Sequence, residues 1–419
     1  MSGADLHVSS PYGFKISVTA QQRDHLLVTT WFVTTFRQFP FDELILYPLA
    51  LYFAYAFARD SKQQWPLVAM TAFLFGFPVW NMLSVLWGVN PGAIIKYTAQ
   101  SFLTVMICYC TAMRLTLRQI LQSLLIAAGI FGVASFVLPG TGGVAGRGVF
   151  ASKNQLGLNM ALLWTVALCV VLDRLQPKLF RLLALGLLPI ALILVFRANS
   201  ATAVLIAFGA LGVVGFGLLL VGRGLGHPIV LISLCIFFAL TTIGISTFIS
   251  SQSFDVVGYV LGKFGKDATL TGRTVLWGYA YEQIQDHPLL GVGAGGFWRP
   301  QDWTSLSRRI FVDFYKPFSA TFTFHNSYLQ VAVHQGLIGA AIAIFGFLWA
   351  IKEVLIASVT KTTMAHVFFV ALAAILLARN MTEPGLVTPF SLFPMLLYMG
   401  ALICFRDKLA LRSRNLKSN

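Results

Sequence analysis

Charged residues are scarce in this sequence. Only 11% of its 419 residues are Asp, Glu, Lys or Arg, whereas 57% are hydrophobic. Ordinary soluble globular chains carry about a quarter charged residues. The composition therefore excludes a soluble domain of this size and indicates a polytopic membrane protein, whose long apolar runs lie among lipids.

Acidic residues are the scarcest charged type. The chain has 15 Asp and Glu against 30 Lys and Arg, which gives a formal net charge of +15. The basic residues are dispersed between apolar runs instead of being gathered on one soluble face, so no nucleic-acid partner is expected. Membrane topology and anionic membrane lipids account for the excess.

The sequence also lacks the residue patterns of a metal site and of a removable signal peptide. All five cysteines fall inside apolar runs, and Cys108 and Cys110 have no second cysteine pair that would complete a zinc site. The acidic residues form no Asp-x-Asp pair that would hold a divalent ion against a diphosphate. We expect no metal and no cofactor. We also expect no removable signal peptide, because no short apolar core precedes a small-residue cleavage site.

Apolar runs long enough to cross a bilayer recur along the chain. A transmembrane helix needs about 20 mostly apolar residues. We therefore predict an all-α polytopic membrane protein with about twelve transmembrane helices, folded as a single domain over residues 1–419. The predicted spans cover approximately residues 25–39, 43–58, 65–87, 95–113, 119–138, 155–173, 179–196, 200–221, 228–249, 326–350, 363–379 and 387–405.

Positive charge predicts the orientation, because Lys and Arg in short loops stay in the cytoplasm. They are enriched in alternate connections, such as those holding Arg114 and Arg174, and in the C-terminal tail. Both termini are therefore predicted to be cytoplasmic. One outer connection, residues 250–325 between the ninth and tenth spans, is much longer than the others.

This outer loop is polar but rich in aromatic residues. Thr271 fits a helix N-cap, apolar residues follow at helical spacing, and Pro288 ends the pattern. The glycines within residues 291–296 predict a tight turn. We expect the loop to fold back onto the outer membrane surface, with aromatic side chains as interface anchors. These are Trp277, Trp298, Trp303, Phe311, Phe314 and Tyr315.

A histidine precedes the tenth span, in the stretch TFTFHNSYLQVAVHQGLIG. His325 lies there near a helix N-terminus, whose partial positive charge favours the neutral ring that accepts a proton. Such a residue can be a general base, or it can simply anchor the helix at the interface. His334 lies on the helix face opposite to His325 and about 13 Å further along the axis, so the two rings cannot share a proton. We expect His334 to be a buried, hydrogen-bonded side chain. Gly336 and Gly339 should let another helix approach.

Three arginines are predicted on the same side as His325. Arg147 precedes the sixth span, Arg197 ends the seventh, and Arg273 opens the loop helix. Guanidinium groups at the mouths of different helices suit an anion with several oxygens, because each makes planar, bidentate contacts and stays charged. Each also has a structural interpretation: Arg147 can snorkel, Arg197 can cap its helix, and Arg273 can be a solvated loop charge.

Together these residues resemble the O-antigen ligase and polymerase superfamily of membrane glycosyltransferases. The resemblance rests on HNSYLQVAVHQGLIG, in which His325 and Asn326 are followed by Gly336 and Gly339. It is supported by TGRTVLWGYAYEQIQDHPLLGVGAGGF and GRGVFASKNQLG, and it covers most of the chain from about residue 140. The order of these motifs and their placement between spans make the identification more specific than any single motif.

The resemblance implies transfer of a preassembled glycan from undecaprenyl diphosphate to a hydroxyl group at the periplasmic face of the bacterial inner membrane. In the ligase branch, which we favour, the acceptor is lipid A-core. It implies His325 as the catalytic residue and Arg197 and Arg273 as diphosphate-binding residues, with Arg147 and Asn326 as further substrate-binding residues. Phe196 stands where ligases commonly have Ser or Thr before the arginine.

The expected reaction is a metal-independent displacement that inverts the anomeric centre. His325 would take the acceptor proton while the arginines stabilise the charge on the departing diphosphate. Two alternatives stay open. An O-antigen polymerase would use another lipid-linked repeat as its acceptor. A lipid-linked glycan transporter or flippase would carry ionisable groups near the membrane midplane, whereas here they gather at the outer rim.

Overall fold

The computed structural model describes residues 6–9, 15–138, 146–221 and 271–418. Strands β1 (Leu6–Ser9) and β2 (Lys15–Val18) pair antiparallel as a short hairpin. The rest of the described chain consists of helices and their connections, so the prediction of a helical protein is confirmed outside that hairpin.

The helices lie close to the predicted spans. They are α1 (Ala20–Phe36), α2 (Glu43–Arg59), α3 (Ser61–Thr71), α4 (Gly76–Leu83), α5 (Pro91–Arg114), α6 (Leu117–Val137), α7 (Lys153–Leu172), α8 (Lys178–Arg197), α9 (Ala201–Leu220), α10 (Thr271–Asp286), α11 (Leu306–Asp313), α12 (Ser327–Thr360), α13 (Met364–Asn380) and α14 (Leu392–Ser418). Two short 3-10 turns, Ala72–Phe75 and Ser84–Leu86, extend α3 and α4 into one apolar stretch.

Six of the described helical stretches are long and apolar enough to cross a membrane. They are Ser61–Leu86, α5, α6, α7, α8 and α12. Residues 202–218 of α9 and the whole of α13 are shorter apolar helices. These helices indicate a membrane protein. The total of twelve spans stays a prediction, and the predicted ninth span, residues 228–249, lies outside the described residues.

Helix starts in the chain are specified by local capping. Thr116 accepts a hydrogen bond from the Gln119 backbone N–H, and the Gln119 side chain accepts one from the Thr116 backbone. This reciprocal capping box satisfies two of the N–H groups that the first turn of α6 leaves without a helical partner. The Asn90 side chain accepts a hydrogen bond from the Ala93 backbone N–H and so caps α5, immediately before Pro91.

Ion pairs gather at one end of the helix bundle. Arg114, the last residue of α5, lies 2.6 Å from Asp60 and 3.8 Å from Asp24. Arg118, near the start of α6, lies 3.0 Å from Asp173, which follows α7. Arg114 and Arg118 are both predicted to face the cytoplasm, and the structure places them at the same end. The candidate site lies at the opposite end.

Helix α13 runs through the middle of the bundle. Nearly all its side chains are buried, among them Phe368, Phe369 and Leu372. A helix that is apolar all round is expected to be surrounded by other helices. Any charged residue near its end is therefore held inside the protein. The described cysteines are buried as well, as predicted, and Cys235 lies outside the described residues.

Helix α12 is interrupted at Gly336, whose φ of 65° and ψ of −177° are not helical. The backbone of the outer loop enters this break. The N–H of Leu337 donates to the carbonyl of Pro288 over 2.8 Å, and that of Ile338 donates to Leu289 over 3.3 Å. The loop thus provides hydrogen-bond acceptors that the interrupted helix lacks.

Gly336 and Gly339 of α12 have different neighbours. A β-carbon on Gly336 would overlap the Leu289 carbonyl, so the prediction that a helix approaches Gly336 was wrong, because a loop does. Gly339 lies against the Trp80 ring of α4, as predicted for close helix packing. The Trp80 indole N–H also donates to the Gln335 carbonyl over 3.0 Å, beside the break.

The outer loop has a hydrophobic core of its own. Leu276 and Ala280 of α10 pack with Phe324 and with Val333 of α12, among other apolar side chains. The prediction that all six loop aromatics anchor the membrane interface was therefore wrong in part. Phe311 is only 1% exposed because it belongs inside the folded loop. Trp298 packs against the rings of Phe311 and Phe324. In contrast, Trp303 and Tyr315 are 81% and 95% exposed.

Candidate active site

His325 lies immediately before α12, near the helix N-terminus, as predicted. Asn326 is the N-cap of this helix, and the first helical residue is Ser327. His325 itself has a φ of 49°, in the left-handed region that a β-carbon disfavours. Such strained backbone costs about 1–3 kcal/mol and is concentrated at functional sites. This conformation makes the surroundings of the ring a candidate functional site.

A carboxylate faces the imidazole ring. His325 Nδ1 lies 3.4 Å from Glu383 Oε2, and Glu383 Oε1 lies 4.0 Å from Arg273 Nη2. The side chains of His325 and Glu383 are 37% and 29% exposed, so one side of the group is open. A carboxylate at Nδ1 favours the tautomer with its proton there, and Nε2 is then the nitrogen that can accept a proton.

Helix α10 brings Arg273 to this group. Arg273, Leu276, Trp277 and Ala280 are spaced three, four and seven residues apart and share one helix face. Leu276 and Ala280 are buried in the loop core, and the Trp277 indole N–H donates to the Phe324 carbonyl over 2.9 Å. Phe324 directly precedes His325. The face of α10 that packs into the loop core therefore also positions the guanidinium of Arg273.

Glu383 is held by the segment that follows α13. Its backbone N–H donates to the Arg379 carbonyl over 2.8 Å. Ser327 Oγ lies 2.8 Å from the Glu383 carbonyl and 3.0 Å from Asn380 Oδ1, so it joins the start of α12 to the end of α13. Sequence reasoning missed the pairing of Glu383 with His325, because 58 residues separate them and no motif spacing links them.

Asn326 has a structural contact that the sequence did not reveal. Its Oδ1 accepts hydrogen bonds from the backbone N–H groups of Tyr328 and Leu329 over 2.9 Å and 3.2 Å. The side chain is also buried. Its carbonyl is thus already used by the helix, and this cap holds the backbone next to His325. A role of Asn326 in substrate binding stays a prediction.

His334 is the buried histidine that the sequence predicted. Its Nε2 lies 2.8 Å from the Gln330 side-chain amide, and its Nδ1 lies 3.4 Å from the Gly293 carbonyl. Gly293 has a φ of 88° and belongs to the glycine turn of the outer loop, so the predicted turn is confirmed. His334 therefore helps to join this turn to α12.

Two cavities open at this end of the bundle. The larger, of about 1240 Å³, is lined by the basic residues Arg37, Lys96, Arg147 and Arg379, together with polar and acidic side chains. The smaller, of about 510 Å³, is lined by Arg379 and by residues around the start of α12, including Thr323. Both are large enough for an extended ligand. Arg379 contributes to both cavities, and sequence reasoning did not select it.

Arg197 is the last residue of α8, as predicted. Its carbonyl oxygen would lie 2.8 Å from a β-carbon placed on Gly146, so the end of α8 adjoins the segment that carries Arg147. Arg197 is not among the described residues that line either cavity, and neither are His325, Arg273 and Glu383. The structure therefore brings His325 and Arg273 together through Glu383 and places Arg147 in the wall of the larger cavity. Diphosphate binding by Arg197 stays a prediction.

Comparison with known proteins agrees with the resemblance in the motifs. Residues 182–344 match the family model described as O-antigen ligase. This match supports the resemblance of the chain to the O-antigen ligase family. This matched segment of the family includes Arg197, Arg273 and His325, whereas Arg147, Arg379 and Glu383 lie outside it.

A rhizobial protein is similar to most of this chain. The exopolysaccharide production protein ExoQ of Rhizobium meliloti (strain 1021) is 28% identical to it over 340 residues. The similarity covers 78% of this chain and 75% of ExoQ. Together the two matches support a membrane protein of the O-antigen ligase and polymerase type, as its motifs predicted.

Proposed function

We propose that this protein transfers a preassembled glycan from undecaprenyl diphosphate to an acceptor hydroxyl at the periplasmic face of the inner membrane. The observation that supports this best is the placing of Glu383 between His325 and Arg273. An imidazole oriented by a carboxylate is a suitable general base. A guanidinium next to it can stabilise the negative charge of a departing diphosphate.

The proposed chemistry is a single displacement. The acceptor oxygen attacks the anomeric carbon, and its proton passes to Nε2 of His325. The bond between the anomeric carbon and the diphosphate oxygen breaks, and that oxygen keeps the electron pair. Glu383 holds the Nδ1 proton and stabilises the imidazolium that forms. Attack opposite the leaving group inverts the anomeric centre. The positive charge gained by the imidazole balances the negative charge gained by the departing diphosphate.

We assign lipid A-core as the acceptor, because the matching family model is that of an O-antigen ligase. The test combines purified protein in lipid nanodiscs with undecaprenyl diphosphate-linked glycan and lipid A-core, without added metal. The expected product is lipid A-core bearing the glycan. Absence of any glycan transfer by folded, donor-binding protein would contradict the proposal. Unchanged lipid-linked glycan appearing on the other leaflet of a vesicle would support transport instead.

A second candidate acceptor is another lipid-linked glycan. ExoQ is described as an exopolysaccharide production protein, and on this ground we keep glycan extension on the lipid carrier as a second candidate reaction for this chain. The same assay without lipid A-core separates the two candidates. A ladder of longer glycans on undecaprenyl diphosphate would indicate a polymerase, whereas a ligase would leave the donor unextended.

Replacing Arg273 with Ala should lower kcat/KM for glycan transfer by about 10²-fold, the usual loss when one group that stabilises the leaving charge is removed. Arg273→Lys should recover only part of this, because an ammonium keeps the charge but loses the planar, bidentate contact. The measurement is transfer by purified variants at several donor concentrations.

Arg309→Ala is the matched control for Arg273. Arg309 is also a loop arginine, and it pairs with Glu282 on an exposed surface, where ion pairs contribute about 0–1 kcal/mol. This variant should keep both its thermal midpoint and its transfer rate. Equal activity of Arg273→Ala and Arg309→Ala would refute the assignment of Arg273 to the diphosphate.

Replacing Glu383 with Gln should lower kcat by at least about tenfold while changing the donor KM little. The amide keeps the size of the side chain but no longer stabilises an imidazolium, and it fits either histidine tautomer. Steady-state kinetics at saturating donor would measure the effect, with Glu282→Gln as the control on the exposed Arg309 pair. A rise in KM alone would show that Glu383 acts on substrate binding and not on His325.

A further inference from the structure

Arg379 near the end of α13 is a buried cation whose polar contacts are incomplete. Its Nε and Nη1 atoms are buried and find no hydrogen-bond acceptor among the residues that the structure describes. Its guanidinium lies 4.8 Å from the centre of the Phe393 ring and packs against Gly385, where a β-carbon would lie 2.9 Å from Nη1. The site is thus shaped around this group but does not satisfy it.

A structural explanation for Arg379 is a cap on the carbonyl end of α13. The hydrogen bonds argue against it. The carbonyl of Ala378 accepts from the Met381 N–H, and the carbonyl of Arg379 itself accepts from the N–H groups of Thr382 and Glu383. Two carbonyls of the last turn are therefore satisfied by backbone N–H groups without the guanidinium.

Glu383 interacts electrostatically with Arg379 but forms no ion pair with it in the described structure. The Glu383 carboxylate is directed to His325 and Arg273, at 3.4 Å and 4.0 Å. An arginine buried without an ion-pair partner is destabilising, because it loses hydration that nothing replaces. A fold keeps such a group where a ligand supplies the missing contacts. Arg379 lines both cavities, and the larger cavity is also lined by Arg147 and Lys96.

We propose that Arg379 binds a phosphate group of the lipid diphosphate donor, between the two cavities. This inference rests on the proposed function, and it assigns the donor to a residue outside the segment that matches the family model. A phosphate oxygen would accept from Nε and Nη1, the two atoms that now lack acceptors. The cation–π contact with Phe393 and the glycine at 385 fix the plane of the guanidinium for this contact.

Binding and stability together test this inference. The full-length protein in nanodiscs would be titrated with undecaprenyl diphosphate, with no acceptor present, and compared with Arg379→Met and Arg379→Gln. Both variants should raise the Kd by about tenfold or more, because charge-assisted hydrogen bonds are lost. The thermal midpoint of ligand-free Arg379→Met should stay the same or rise, since an unsatisfied buried charge has been replaced by an apolar side chain.

Two results of these binding and stability measurements would overturn the inference. A lower thermal midpoint with unchanged Kd would make Arg379 a structural residue. A Kd that rises equally for phosphatidylglycerol would assign the group to phospholipid headgroups and not to the donor. Because the titration involves no glycosyl transfer, its result is independent of the transfer assay. Failure of transfer with intact, Arg379-dependent binding would therefore contradict only the proposed function.

Discussion

Replacing His325 with Ala should lower glycan transfer by about 10²- to 10⁴-fold, the typical contribution of a general base. The effect should fall on kcat, because the imidazole is proposed to act on the acceptor proton during the chemical step. The folded state should survive, since the ring is 37% exposed and its contact with Glu383 is at the surface of the cluster. Transfer by purified protein, with donor and acceptor both saturating, is the measurement.

A second histidine provides the control for this variant. His287 lies just after α10, is exposed, and has no assigned role in the mechanism. His287→Ala should keep normal transfer, thermal midpoint and donor Kd. His325→Ala should keep the last two but not the first. Near-normal transfer by His325→Ala would reject this ring as the base, and a collapsed thermal midpoint would show that the strained backbone at residue 325 matters for folding.

The Gly336→Ala variant should fail to fold or should unfold at a much lower temperature, with a loss above about 4 kcal/mol. The new methyl group would overlap the Leu289 carbonyl and approach the Leu290 N–H. Relief would require the loop backbone to leave the break in α12, and the hydrogen bonds of Leu337 and Ile338 would then be lost. The φ of 65° would also be strained for alanine.

Gly186→Ala is the matched control in another apolar helix. No heavy atom lies within 4 Å of a β-carbon placed on Gly186, which is exposed on α8. This variant should be unchanged or more stable by about 0.4–1 kcal/mol, because alanine restricts the unfolded chain. Yield of monodisperse protein and the thermal midpoint in detergent would be compared for the two variants. A Gly336→Ala protein as stable as Gly186→Ala would show that the loop does not enter the helix.

The helices could be predicted because their signal is local. Eleven of the twelve apolar runs coincide with described helices, since bilayer thickness sets the length of each run and the apolar residues fill it. His325 and Arg273 could be chosen for a related reason. Each lies close to the start of a helix that has an apolar pattern.

The missed features depend on distant parts of the chain. Glu383 reaches His325 across 58 residues, so no spacing in the sequence predicts the pair. Arg379 looks like an ordinary charge at a helix end, and only packing shows that two of its nitrogens are buried without an acceptor. Phe311 was assigned to the membrane interface because hydrophobicity alone does not distinguish a lipid contact from a protein core.

The break at Gly336 has a further consequence for protein engineering. Residues 288–292 and α12 complete each other's hydrogen bonds, so neither is a self-sufficient module. A chimera that imported an outer loop from a relative without a matching interruption in the helix would leave amide and carbonyl groups unsatisfied in a water-poor interior. The outer loop could therefore be transplanted between such proteins only by exchanging the loop and this helix as one block.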